Sequence, residues 1–169
     1  MTEFDGFFGT HAKPVYNYLA RLTGDRERAN DLFQRVFLKA YTHFGTRRSS
    51  GSERSWIFTI ATNEARDEIR RRKRDPLRPM ELPDLREEGA DPSVSAEERE
   101  LAREILRGIE ELPLPNRELF LLVRYHGFSF AAAAELTGMS LSAAKMSVSR
   151  SHEKLLRILA GRISLGSLL

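Results

Sequence analysis

Residues Trp56–Arg74 read WIFTIATNEARDEIRRRKR. On a helical wheel, Trp56, Ile57, Ile60, Ala61, Ala65 and Ile69 spread over about half the circumference, as a buried face does. Thr59, Asn63, Arg66, Arg70 and Lys73 follow at helical spacing and align as one polar, mostly cationic stripe. The stretch ends in unbroken positive charge, Arg70-Arg71-Arg72-Lys73-Arg74, before Asp75-Pro76 stops the helix. Cations suit a helix C-terminus, but five in succession also repel one another. An anionic partner relieves that repulsion, and a phosphate backbone is a common one. A solvated, charged helix end is the competing reading of these residues alone.

The rest of the composition narrows the choice. The chain has 169 residues, enough for one domain or two small ones, and 41% of them are hydrophobic. Charge is unevenly placed. Residues 1–75 hold 15 basic and 10 acidic side chains, 76–100 hold 3 and 8, and 101–169 hold 9 and 6. Two basic blocks thus flank an acidic spacer. With no cysteine in the chain, disulfides, thiolate metal sites and cysteine nucleophiles are excluded. The acidic start MTEFDGFF is no signal peptide, and no apolar run approaches the roughly 20 residues of a membrane span. A soluble, cytoplasmic protein without membrane insertion is expected. His11, His43, His126 and His152 are scattered, with no HExxH pattern, so neither catalysis nor a metal or cofactor is expected.

Helical periodicity runs through both basic blocks. Phe4 to Leu22 suits one or two short helices, with Pro14 at a first-turn position or a kink. A second helix is predicted from Asp25 to Phe44, with Ala29, Leu32, Phe33, Val36, Phe37, Ala40 and Phe44 on its core side. Asp31, Gln34, Leu38 and Tyr41 fall on the other side, a mixed surface typical of protein contacts. Contact with another helix of the same domain explains Leu38 and Tyr41 equally well at this point. Gly45–Arg54 reads as a flexible cationic loop suited to single-stranded nucleic acid.

Pro76, Pro79, Pro83, Pro92 and Gly89 mark a linker without packing periodicity. A helix follows from Ala96 to Leu112, broken by Pro113 and Pro115, and Asn116 is placed to cap the next one. Ser129 then caps a short helix, Phe130–Leu136, and Gly138 supplies the turn. The last helix is predicted from Leu141 to about Leu159. Leu141, Ala144, Val148, Leu155 and Leu159 form its buried face. Ser142, Ala143, Lys145, Met146 and Ser147 are its exposed N-terminal face, and Arg150, Lys154 and Arg157 are spaced for phosphates. An ordinary helical hairpin fits this last pattern too.

Asp31 to Ala40, then Trp56 to Asp67 and the Arg/Lys run, resemble conserved region 2 of the extracytoplasmic-function (ECF) sigma factors of bacterial RNA polymerase. Ile109 to Pro113, Arg117 to Leu122, Gly127 to Leu136, Gly138 and Lys145 to Leu155 resemble region 4 of the same family. The resemblance implies an all-α chain of two small helical domains joined by a flexible linker: region 2 over 1–75, linker over 76–95, region 4 over 96–169. It implies that Asp31, Gln34 and Leu38 dock on core RNA polymerase. Arg47, Arg48, Arg54, Asn63, Arg66, Arg70, Arg71, Lys73 and Arg74 would meet the −10 element of promoter DNA. Ser142, Lys145, Met146, Ser147, Arg150 and Lys154 would meet the −35 element. An anti-sigma factor is a further implied partner.

The second block departs from the family pattern. Alanines at 131–133, 143 and 144 replace acids and larger aliphatics, and Ser147 and His152 stand where bases are usual. The first helix of the motif is therefore expected to be underpacked and its reading helix weak. Two other functions stay open on these residues: a DNA-binding regulator using the C-terminal helices alone, and a sigma mimic that sequesters an anti-sigma factor. The two domains have little reason to pack on each other unless a regulator holds them. The apolar tail 163–169 is expected to cap the second domain.

Overall fold

Side-chain caps fix where the first three helices begin. The computed structural model describes residues 1–47, 51–74 and 93–166, the last five as backbone alone. Helix α1 (Glu3–Thr23) starts at Thr2, whose hydroxyl accepts from the Asp5 amide at 3.2 Å while the Asp5 carboxylate accepts from the Thr2 amide. Asp25 caps α2 (Arg26–His43) and Ser52 caps α3 (Glu53–Lys73) in the same manner. Between α2 and α3 lies a single 3₁₀ turn, Phe44–Thr46.

These helices form a three-helix bundle. Val15, Leu19 and Leu22 of α1, Leu32 and Val36 of α2, and Ile57, Phe58 and Ala61 of α3 are fully buried. Each large aliphatic so buried contributes about 1.5–3 kcal/mol before entropy is counted. Polar ties fix α2 on α3: buried Glu64 pairs with Lys39 and Arg35, and Arg35 also reaches Glu68 at 2.9 Å. The Tyr18 hydroxyl meets the Thr62 hydroxyl at 2.9 Å inside the bundle, so neither buried oxygen is left unpaired.

A single helix, α1, runs through Pro14, one of the two sequence expectations; the proline lies inside it and not in its first turn. Phe7, His11, Val15, Tyr18 and Leu22 occupy one buried face on both sides of the proline, and that shared burial outweighs the one lost backbone hydrogen bond.

The C-terminal unit is α4 (Ala96–Glu110), α5 (Leu114–Phe120), a π-helical turn (Leu121–Tyr125), α6 (Phe130–Thr137) and α7 (Leu141–Gly166). Helix α5 opens at Leu114 after Pro113, not at an Asn116 cap, because Pro115 sits where a missing N–H costs nothing. The π turn is closed by the His126 amide on Leu121 O, 3.0 Å, and Gly127 follows at φ 66°. Ser129 caps α6 and Gly138 ends it at φ 74°, as its sequence predicts. Leu141 was expected in the core but is exposed; Ala144, Val148 and Leu155 are buried, and Leu159 is half-buried.

The two units pack directly on each other, which the sequence did not suggest. Phe58 of the bundle meets the Phe128 ring edge-on at 5.0 Å and the His126 ring at 5.2 Å. The Arg117 guanidinium donates to Leu22 O at the end of α1 (2.8 Å) and to Glu110 O and Leu112 O. One continuous apolar core results. The expected linker, apart from 93–95, and the tail from 167 onward lie outside the described residues, as does Arg48.

Candidate nucleic-acid interface

The cationic end of α3 stands in solvent. Asn63, Arg70, Arg71, Lys73 and Arg74 are exposed. Arg70 is 4.0 Å from Asp67 and Arg71 is 3.9 Å from Glu68, and exposed pairs of this length contribute little. The stripe predicted from spacing therefore exists over most of its length.

Its central member is occupied. Arg66 Nε and Nη2 donate to the two oxygens of Glu118 at 2.8 and 2.6 Å, a fork-to-fork pair. Nη2 also donates to Thr137 O at 3.3 Å, at the end of α6. Glu118 is fully buried, while the Arg66 side chain keeps about a quarter of its surface. The hydrogen bonds that Arg66 donates to Glu118 raise its pKa against the opposing effect of burial. Arg66 was expected to face DNA; in this arrangement it holds α3 to α5 and α6.

The cations ahead of α3 are also engaged. Arg47 bonds Glu53 at 2.7 Å and Glu3 at 3.2 Å and lies 3.7 Å over the Phe44 ring, so it is no loose loop residue. Arg54 falls in the first turn of α3, not in the loop. It donates to His126 O and lies 4.2 Å over Phe128.

On α7, Ser142, Lys145, Met146 and Arg150 are exposed along one side, and Met146 keeps 53% of its surface. Lys154 is half-buried and donates to Glu111 O at 3.2 Å. Ser147 corrects the sequence expectation: it is 7% exposed and its hydroxyl has no partner. It lies one residue before buried Val148 and three after buried Ala144, on the packed side of the helix. The alanines of α6 are not all wasted, since Ala133 and Ala134 are buried where α6 packs against both α7 and α3.

Across the bundle, α2 presents Asp31, Gln34 and Leu38 to solvent, with Leu38 67% exposed. Packing within the chain does not consume this side chain. Tyr41, also exposed, touches Phe4 edge-on at 5.1 Å.

Sequence reasoning missed Glu118, Arg117 and His126. Glu118 carries a signal in retrospect: its neighbours Leu119, Phe120, Leu121 and Leu122 are all core residues, so the carboxylate sits inside an apolar run and needs a cation. Burial, then Arg21 and Arg54, push the His126 imidazole down to about 4. Burial lowers His11 as well.

Known proteins resemble this chain in both halves. Residues 7–75 match Sigma-70 region 2, and residues 102–155 match Sigma-70, region 4. RNA polymerase sigma factor CarQ of Myxococcus xanthus is 32% identical over 165 residues, covering 96% of this chain and 91% of that protein. ECF RNA polymerase sigma factor SigM of Mycobacterium tuberculosis is 31% identical over 157 residues, covering 92% and 76%. In fold, the chain is similar to the sigma factor RpoE solved with the anti-sigma factor NepR from Bartonella quintana, with TM-score 0.81, 21% identity and coverage of 95% and 98%.

Two outcomes follow from this geometry. Glu118→Gln keeps the shape and removes the charge; it is expected to cost about 3–5 kcal/mol in urea unfolding. The radius of gyration by small-angle scattering should rise as the units separate. The pH dependence has a defined sign. His126 is held neutral in the fold and takes up a proton on unfolding, so stability is full above pH 6.5 and declines as pH falls towards 4. Thermal melts across that window should show the decline, with a shallower slope for His126→Gln.

Proposed function

The chain belongs to the ECF branch of the sigma-70 family, and we propose that it docks core RNA polymerase through α2 and engages promoter DNA through α3 and α7. As an RNA polymerase sigma factor it directs core polymerase to promoters at transcription initiation. The family acts by regulatory DNA binding; we assign this chain no catalysis of its own and place its action in the cytoplasm with polymerase. Among the described residues no helix is long and apolar enough to cross a membrane.

The carrying observation is Leu38. A large aliphatic side chain, 67% exposed between exposed Asp31 and Gln34, has the composition of a contact surface. On the DNA side, we assign Asn63, Arg70, Arg71, Lys73 and Arg74 to the −10 element, together with Arg47, Arg48 and Arg54. Opening DNA costs a few kcal/mol per unstacked base, and cationic contacts offset that cost. Arg66 joins this surface only when its pair with Glu118 parts. Ser142, Lys145 and Met146 face the −35 element, with Arg150 and Lys154 on flanking phosphates. The reading units are taken as 1–75 and 96–169, joined by 76–95. An anti-sigma factor is proposed as regulator, in parallel with the NepR-bound neighbour.

Run-off transcription with reconstituted polymerase, alongside a core pull-down, tests these roles. Leu38→Asp should lose core binding and transcription together, each by tenfold or more. The Arg70/Arg71/Arg74 triple alanine variant should keep core binding and lose transcription. Core binding by neither protein, nor by the unaltered chain, would refute the assignment.

A further inference from the structure

The seam between the two units holds a cleft of about 370 Å³, and of its lining residues only Arg54 figures in the roles above. Lys13, Asn17 and Arg21 of α1 and Arg54 of α3 line it from one side, and Tyr125 and His126 from the other. We propose that this cleft binds a small phosphate-bearing anion. The volume suits a ligand between pyrophosphate and a nucleotide in size.

The donor set supports that class. Three cations line the cleft, and among the described residues no carboxylate does. The Arg21 guanidinium lies 4.8 Å over the Tyr125 ring, which fixes its plane. Its Nη1 makes one long bond, 3.5 Å, to Asn17 O, while its Nε is buried without a partner. His126 Nε2 is likewise buried without a partner. A buried donor left unpaired, as Arg21 Nε is, is costly and uncommon. A phosphoryl group accepts from Arg21 and Lys13 at once and offsets the mutual repulsion of the cations. Burial first, and Arg21 and Arg54 after it, lower the His126 pKa, so the two arginines add to the effect of burial at this ring.

The cleft's position selects a free small anion over a nucleic-acid backbone. Its walls come from both units and exist as a cleft only while the units are packed together. An occupant therefore bridges α1 and the 125–126 segment, and it favours the packed arrangement by mass action.

Titration of the full-length chain with sodium pyrophosphate at low ionic strength, followed by calorimetry, tests this. One saturable site is expected, with a dissociation constant of about 1 mM or tighter. Lys13→Met, at an exposed side chain, and Arg21→Gln should each weaken binding by tenfold or more. Arg70→Gln with Lys73→Met, on the same face of the chain's most cationic helix but away from the cleft, should leave it unchanged. The His126 ring resonances of the unaltered protein should move with the same saturation. No saturable heat and no His126 shift would overturn the proposal. Equal weakening by the Arg70/Lys73 variant would overturn it too, as non-specific attraction. So would displacement of pyrophosphate by a single-stranded oligonucleotide at lower concentration, which would assign the cations to nucleic acid.

Discussion

The Arg66–Glu118 pair governs the architecture. A fully buried carboxylate is tolerated only with a cation and good geometry, and Glu118 has one partner reaching it with two parallel hydrogen bonds. That partner comes from the other unit, 52 residues earlier in the chain. Phe58, Phe128 and His126 pack around the same seam, and Arg117 ties the end of α1 to α4 and α5. The two bundles share one continuous apolar core, and at its edge a charge on each is paired by the other.

This arrangement treats the two functional faces differently. The α2 surface of Asp31, Gln34 and Leu38 points away from the seam and is open to a partner as it stands. The α3 stripe has its middle residue turned inward to Glu118 and Thr137. Parting Arg66 from Glu118 leaves a buried carboxylate without its cation, so under the role proposed for α3, contacts with polymerase and promoter together must offset that cost before Arg66 faces DNA.

Most of the local structure was legible. Helical periodicity located α2, α3 and α7, and the caps at Asp25, Ser129 and Gly138 stand where residue chemistry places them. The charged run at the end of α3 was readable from the wheel, whereas Leu38 was as consistent with burial against a neighbouring helix until the structure showed it 67% exposed. What failed was long-range or second-order. No periodicity announces that Arg66 and Glu118 meet, since charge pairs across units leave no local trace. Asn116 does not cap α5, because Pro115 lets the helix start earlier, at Leu114. Ser147 shares its side of α7 with Ala144 and Val148, and a wheel drawn too generously put it in solvent. The alanines of α6, which looked like a deficiency, in part line a helix packed on two sides.

The seam holds the two units together in the unbound chain, and under the proposed function they separate on polymerase. The chain contains no cysteine, so single cysteines at exposed Asn30 and Ala131 accept spin labels without competition. Pulsed electron–electron distance measurement should give one short, narrow distribution for the unbound protein and a longer one in the complex with core polymerase. A broad, long distribution in the unbound chain, or the same narrow one in both states, would contradict the account.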